Sequence, residues 1–250
     1  MNSELESKDI AADLCKLALL LNTYGLCTDV SPLDNAGQSF IQKESASWDY
    51  ELQKITFNNA DEVGGRLPSD SMEISITLSI IINGQQIESA EICNPLSKLN
   101  VDIEIDGRRI NPSSFEVEDL YSCWHLDLHI EEEGDGQPKY CHPMYHFAFG
   151  GNKMEARGDA FFGNGIFLPA PRLIHPPMDA VLAIDFILQN YFEKDKIQKL
   201  LDDPEYAEIV KNSQNRLWKP FFSSLYSYWN AENLTVNKDF SYSKVLPLYH

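Results

Sequence analysis

The chain has 250 residues, 43% of them hydrophobic, and its 20 lysines and arginines face 38 aspartates and glutamates, a formal net charge of −18. A chain of this length buries a core without help from metal or disulfides, and the composition excludes extensive disorder, fibrous repeats and small disulfide scaffolds. Basic residues cluster no further than Arg108–Arg109, so direct nucleic-acid binding by this chain alone is not expected, because phosphate neutralisation needs a basic stripe.

In chain order, Ile10, Leu14, Leu17, Ala18 and Leu21 recur at helical spacing ahead of Gly25, which predicts an amphipathic helix over 8–24. A polar linker with Pro32 and Gly37 completes an N-terminal unit of residues 1–40, and Trp48 to Phe57 reads as a first strand. From Met72, apolar residues alternate with polar ones through Ile74, Ile76, Leu78, Ile80 and Ile82, the pattern of a half-buried strand. Asn83-Gly84 then suggests a tight hairpin turn, with 86–92 running back beside it. Leu99, Val101, Ile103 and Ile105 predict another strand, ending in a turn at Asp106-Gly107. Residues 119–131 and 140–149 form the last strand pair of a sheet over 48–150.

Pro176-Pro177 is expected to open a helix through Phe192, apolar around most of its circumference and so buried between layers. Asp203-Pro204 reads as the cap and first residue of a helix to about Lys211, and 218–229 as a separate helix starting near Pro220. Helices occupy 176–230, and 231–250 is expected to be an extended tail. The order of helix, antiparallel meander and helices predicts one α+β domain over 1–250, with the helices on one sheet face.

The longest apolar runs, Leu17–Leu21 and Ala180–Ile184, are far shorter than the roughly 20 residues of a membrane helix. The acidic N-terminus carries no targeting pattern. Cys15, Cys27, Cys93, Cys123 and Cys141 form no C-x-x-C pair, so neither a disulfide framework nor a structural zinc site is expected, and a cytoplasmic location fits. Residues 1–150 hold 9 basic and 26 acidic side chains against 11 and 12 in 151–250. A solvated face accounts for that acidity first, and a surface for a basic partner or a nucleic-acid mimic second.

Phosphate-binding glycine loops, the G-x-S-x-G elbow and H-E-x-x-H are absent. Asp102-Ile-Glu104-Ile-Asp106-Gly107 imitates half a calcium loop, but Ser113 stands where the closing glutamate belongs.

Four of the six histidines fall within 125–146. Trp124, Leu126, Leu128 and Ile130 are even-numbered, which leaves His125, Asp127 and His129 on the opposite face of one strand; Tyr145, Phe147 and Phe149 likewise leave His142 and His146. Burying both apolar sets together requires an odd-sum register, such as 125 with 146 and 129 with 142, and that gathers all four histidines and Asp127 on one face. Imidazoles and a carboxylate are ligands for first-row metals, and imidazoles also serve as acid and base in phosphodiester cleavage. A hydrogen-bonded polar sheet face is the competing reading. Arg172 and His175 lie in a proline-rich segment that either folds over this face or simply crosses into the next helix.

The order Asp127-Leu-His129, His142-Pro-Met-Tyr-His146-Phe, Gly150-Gly151, Ile166-Phe-Leu-Pro169, Pro176 and the apolar helix ending at Phe192 resembles a group of uncharacterised bacterial domains. Some of these resemble toxin components or are encoded beside phage-defence genes; the likeness spans about 120–192. A weaker likeness is to the ubiquitin-conjugating (RWD-like) fold, through Tyr140-Cys141-His142-Pro143, Gly165-Ile-Phe-Leu168 and Asp202-Asp203-Pro204. That resemblance places the family's catalytic cysteine at Phe167, which forms no thioester, and so implies an inactive, protein-binding relative.

Two functions are therefore expected. One is a non-catalytic interaction subunit of a bacterial phage-defence or toxin–antitoxin-type system, binding a protein encoded nearby that carries a basic surface. The other is an RNase-like or metal-assisted hydrolase using His125, His129, His142 and His146 as acid, base or ligands, Asp127 as carboxylate and Arg172 as phosphate contact. A metal in that case is held by His125, Asp127, His129 and His146, with no cofactor specified. The first is favoured, because the net charge repels an anionic substrate unless a basic partner brings it.

Overall fold

The structure is a computed structural model that describes residues 3–40, 47–58, 71–85, 90–129, 142–150 and 172–247. Helices α1 (Ser3–Thr23) and α2 (Ser31–Gln38) precede strands β1 (Ser47–Asn58), β2 (Ser71–Gln85), β3 (Leu96–Ile110), β4 (Val117–Leu128), β5 (Tyr145–Phe149) and β6 (Leu173–Ile174). Helices α3 (Ala180–Tyr191), α4 (Lys194–Leu201) and α5 (Pro204–Tyr226) follow, then a 3-10 turn at Lys238–Phe240 and α6 (Tyr242–Val245). The six strands pair antiparallel in sequence order. This is the expected α+β arrangement, and no described helix is long and apolar enough to cross a membrane.

Strand parity builds the core. Leu52, Ile80, Val101, Leu126 and Phe147 are paired in a row across five strands, and all five are buried. Their neighbours one residue on, Ile81, Asn100, Asp127 and His146, form a second row that points to the other side of the sheet. Helix α3 contacts β2 as well as α1 and α5, so it lies between layers as its all-round apolar surface requires.

Several boundaries differ from expectation, each for a local reason. Residues 31–38 form a helix rather than a linker: Pro32 sits in the first turn, where its missing N–H costs nothing, and Leu33 and Ala36 are buried. Asn83-Gly84 does not turn; both residues stay in β2, paired on one side with Asp49 and Trp48 and on the other with Lys98 and Leu96. Glycine is needed at 84 for close approach, because a Cβ there would lie 2.1 Å from Trp48 Cζ2. Residues 86–89 lie outside the described residues. Asp106-Gly107 also remains in a strand, and the chain reverses after Ile110, where the Asn111 side chain accepts from the Ser113 and Ser114 amides at 2.8 and 3.2 Å.

The apolar helix starts at Ala180, not at the prolines, because Asp179 caps it by accepting from the Leu182 amide at 3.1 Å. Asp203 caps α5 as expected, but α5 then runs without a break to Tyr226. Leu217, Phe221 and Ser224 keep its buried stripe continuous past Pro220, so burial outweighs the hydrogen bond lost at the proline. The C-terminal segment is not a loose extended tail: Val236 forms a parallel bridge with Ile92, and Phe240 and Val245 are buried.

Candidate functional site

The histidine face forms where β4 meets β5. The observed register pairs Trp124 with Phe149, His125 with Ala148, Leu126 with Phe147 and Asp127 with His146. Its sum is odd, as the apolar patterns demand, but it lies two residues from the expected pairing of 125 with 146. A shift of two preserves which face each side chain occupies. The face therefore survives, while the partners within it change.

Asp127 and His146 stand directly opposite one another, and His125 lies two residues from Asp127 on the same side. The His125 Nε2 to Asp127 Oδ2 distance is 3.5 Å, and one ligand atom each from His125, Asp127 and His146 can be chosen so that all lie within 4.8 Å of one another. His142 and His129 extend the array: the ring centres are 4.3 Å apart for His142 and His146, and 4.0 Å for His129 and His142. Of the four residues expected to share a metal, His129 stands apart from this group. It lies four positions along the chain from His125, beyond the end of β4 at Leu128, and its ring meets that of His142 instead.

Second contacts orient the group. The His125 Nδ1 lies 3.3 Å from the Gly150 carbonyl. A carbonyl only accepts, so this hydrogen bond places a proton on Nδ1. Gly150 has a φ of +91°, a backbone region that favours glycine. Asp127 Oδ1 accepts from Asn100 Nδ2 at 2.8 Å, across the β3–β4 pair. His146 is only 5% exposed, and among the described residues neither its Nδ1 nor that of His142 has a hydrogen-bond partner. The histidine side of the sheet is not open to water at this point: His146 is as buried as Phe147 on the opposite side.

Burial lowers the His146 pKa to about 3 and that of His142 to about 4, helped by the neighbouring imidazoles and Arg172. Both rings are neutral at pH 7, the form that binds metal and not the form that donates a proton. Arg172 precedes β6, whose Ile174 pairs with His146, so strand parity puts Arg172 on the histidine side. His175 goes the other way. Its ring lies 5.3 Å from that of Phe147 and 6.0 Å from that of Phe186, and its Nδ1 is 2.7 Å from the Pro176 carbonyl.

Comparison with family models, with curated proteins and with solved structures finds no match for this chain.

A cleft of about 700 Å³ opens beside the array, with His129, His142, Met144 and Asn94 on one side and Asn237 and Lys244 on the other. The tail wall of this cleft went unread in the sequence, because its polar residues hide the two buried anchors Phe240 and Val245.

A second surface lies at the end of α5. Phe222, Tyr226 and Trp229, at i, i+4 and i+7, are 50%, 55% and 63% exposed, and Tyr228 packs edge-on against Trp229 and Tyr242. Ile110, Phe115 and Val117 expose a smaller apolar cluster where β3 turns into β4. Phe167, the position aligned with a catalytic cysteine, lies outside the described residues.

Proposed function

We propose that the protein is a non-catalytic interaction subunit of a bacterial phage-defence or toxin-type system. The observation that carries this reading is the exposed Phe222, Tyr226 and Trp229 stripe. Three large exposed aromatic side chains, two on the last turns of α5 and one in the turn after it, lose their contact with water only when another surface covers them, and aromatic residues dominate binding energy at protein interfaces. The excess of acidic residues favours a partner with a basic surface. Assignment to a bacterial conflict system rests on the sequence resemblance over 120–192. The test is co-purification of the tag-free chain with the products of neighbouring genes, beside the Tyr226→Ala and Trp229→Ala variants. Capture of a defined partner by the parent and its loss in both variants, with melting temperature unchanged, supports the proposal. A monomer that captures none of these products overturns it.

A second reading is a metal-assisted hydrolase or RNase-like toxin, favoured by the convergence of His125, Asp127, His142 and His146 beside Arg172. In it the carboxylate and imidazoles activate a water molecule and Arg172 holds an anionic group of the substrate. Cleavage of RNA by the isolated chain, or by the chain with its partner, and loss of that cleavage in Asp127→Asn is the expected result. Full activity in that variant removes the reading.

A further inference from the structure

We propose that His125, Asp127 and His146 bind one divalent transition-metal ion of the zinc type. The inference does not depend on either functional reading, since an ion here serves a structural or a hydrolytic role equally.

Three observations meet at this point. The first is the donor set. Two imidazoles and a carboxylate with ligand atoms within 4.8 Å of one another match the three-ligand sites of zinc and the two-histidine, one-carboxylate sites of iron. Ligands about 2.0–2.2 Å from an ion stand roughly 3–4 Å apart, so small side-chain rotations close the group around it.

The second is the buried His146 ring. Its Nδ1 has no hydrogen-bond partner among the described residues, in a residue that is only 5% exposed. A buried polar atom without a partner is costly, and an ion bound by the imidazole offsets that cost.

The third is the orientation of His125. With its Nδ1 directed to the Gly150 carbonyl, His125 is left with Nε2 facing an Asp127 carboxylate oxygen at 3.5 Å, so the remaining ring nitrogen and the carboxylate turn toward one point. The Gly150 carbonyl on His125 and the Asn100 amide on Asp127 are the kind of outer contacts that fix metal ligands in place.

The experiment is zinc titration by calorimetry of the tag-free full chain after chelator treatment, with cobalt as an optical probe of the same site. One ion per chain is expected, and cobalt should give the absorption bands of a nitrogen and oxygen site. Asp127→Asn keeps the side-chain shape and removes the charge; its affinity should fall by at least about a hundredfold, with circular dichroism unchanged. His125→Gln should behave alike. His129→Gln, outside the three residues whose ligand atoms lie within 4.8 Å of one another, should bind within about threefold of the parent. Absence of zinc and cobalt binding by the parent overturns the proposal. So does binding that survives both ligand substitutions, or that is lost only with His129.

Discussion

Asp127 and His146 face each other as a directly opposed pair across β4 and β5, with His125 two residues along the same strand. A carboxylate and two imidazoles are thus held by backbone pairing rather than by loops. The group's spacing is set by the sheet, and changing any of the three side chains leaves the pairing that positions the others.

Acid should destabilise the metal-free protein through its buried histidines. His142 and His146 have folded-state values of about 4 and about 3, and burial lowers His175 as well. In the unfolded chain all three titrate near the ordinary value of about 6.5. Below that pH the unfolded chain takes up protons that the folded one refuses, so stability falls as pH falls through this window. Melting temperature measured between about pH 7.5 and about pH 5 should drop, and His146→Gln should flatten the slope. A slope identical in parent and variant would sink this account.

Gly84→Ala is expected to cost about 1–3 kcal/mol. The added methyl would meet the indole of Trp48, which already lies across the glycine. Denaturant melts of the single and double variants check the cause: with Trp48→Ala in the background the cost of the alanine should shrink, because the two positions share one space.

Arg216 lies with Asp13 at 3.3 Å and Asp179 at 3.6 Å, all three nearly buried, and Ser213 donates to Asp179. Burial raises the Asp13 pKa against the opposing pull of Arg216. Removing the guanidinium strands two carboxylates in the interior, so Arg216→Ala should destabilise by about 3–5 kcal/mol. A loss under 1 kcal/mol, on the order of a surface substitution, would count against this network as a contributor to stability.

Asp203 accepts from the Glu205 and Tyr206 amides at 2.8 and 3.4 Å, and from the Tyr24 hydroxyl at 2.7 Å. It therefore caps α5 and ties it to the loop after α1. Asp203→Ala should cost about 1–2 kcal/mol, and Asp203→Asn should restore most of it. Equal melts for the two variants would show that the cap contributes nothing.

Alternation made most of the sheet legible. Side chains on a strand repeat every two residues, so Leu126 and Phe147 declared the buried side and thereby placed His125, Asp127 and His146 on the other. Parity says nothing about a shift of two, which is why the pairing of His146 with Asp127 rather than His125 became visible only in three dimensions. Glycine was ambiguous for a physical reason: it permits a turn, and it equally permits another group to approach the backbone, as Trp48 does at Gly84. Pro220 misled because local propensity counts one lost hydrogen bond, whereas the buried stripe from Leu217 to Ser224 is a tertiary effect. Asn100 carries no motif at all, and the sequence does not connect Gly150 with His125; only pairing geometry brings these two in to orient the candidate ligands.

The strand order of the sheet sets a timetable. Every strand joins its chain neighbour, so pairing advances from one strand to the next and can begin on a growing chain. The bridge between Ile92 and Val236 joins positions more than half the chain apart. Asp127 and His146, close in sequence, can therefore pair before the wall carrying Asn237 and Lys244 has been made. An ion could be captured by the emerging sheet before the neighbouring cleft exists, and the C-terminal segment would then close over a centre already formed.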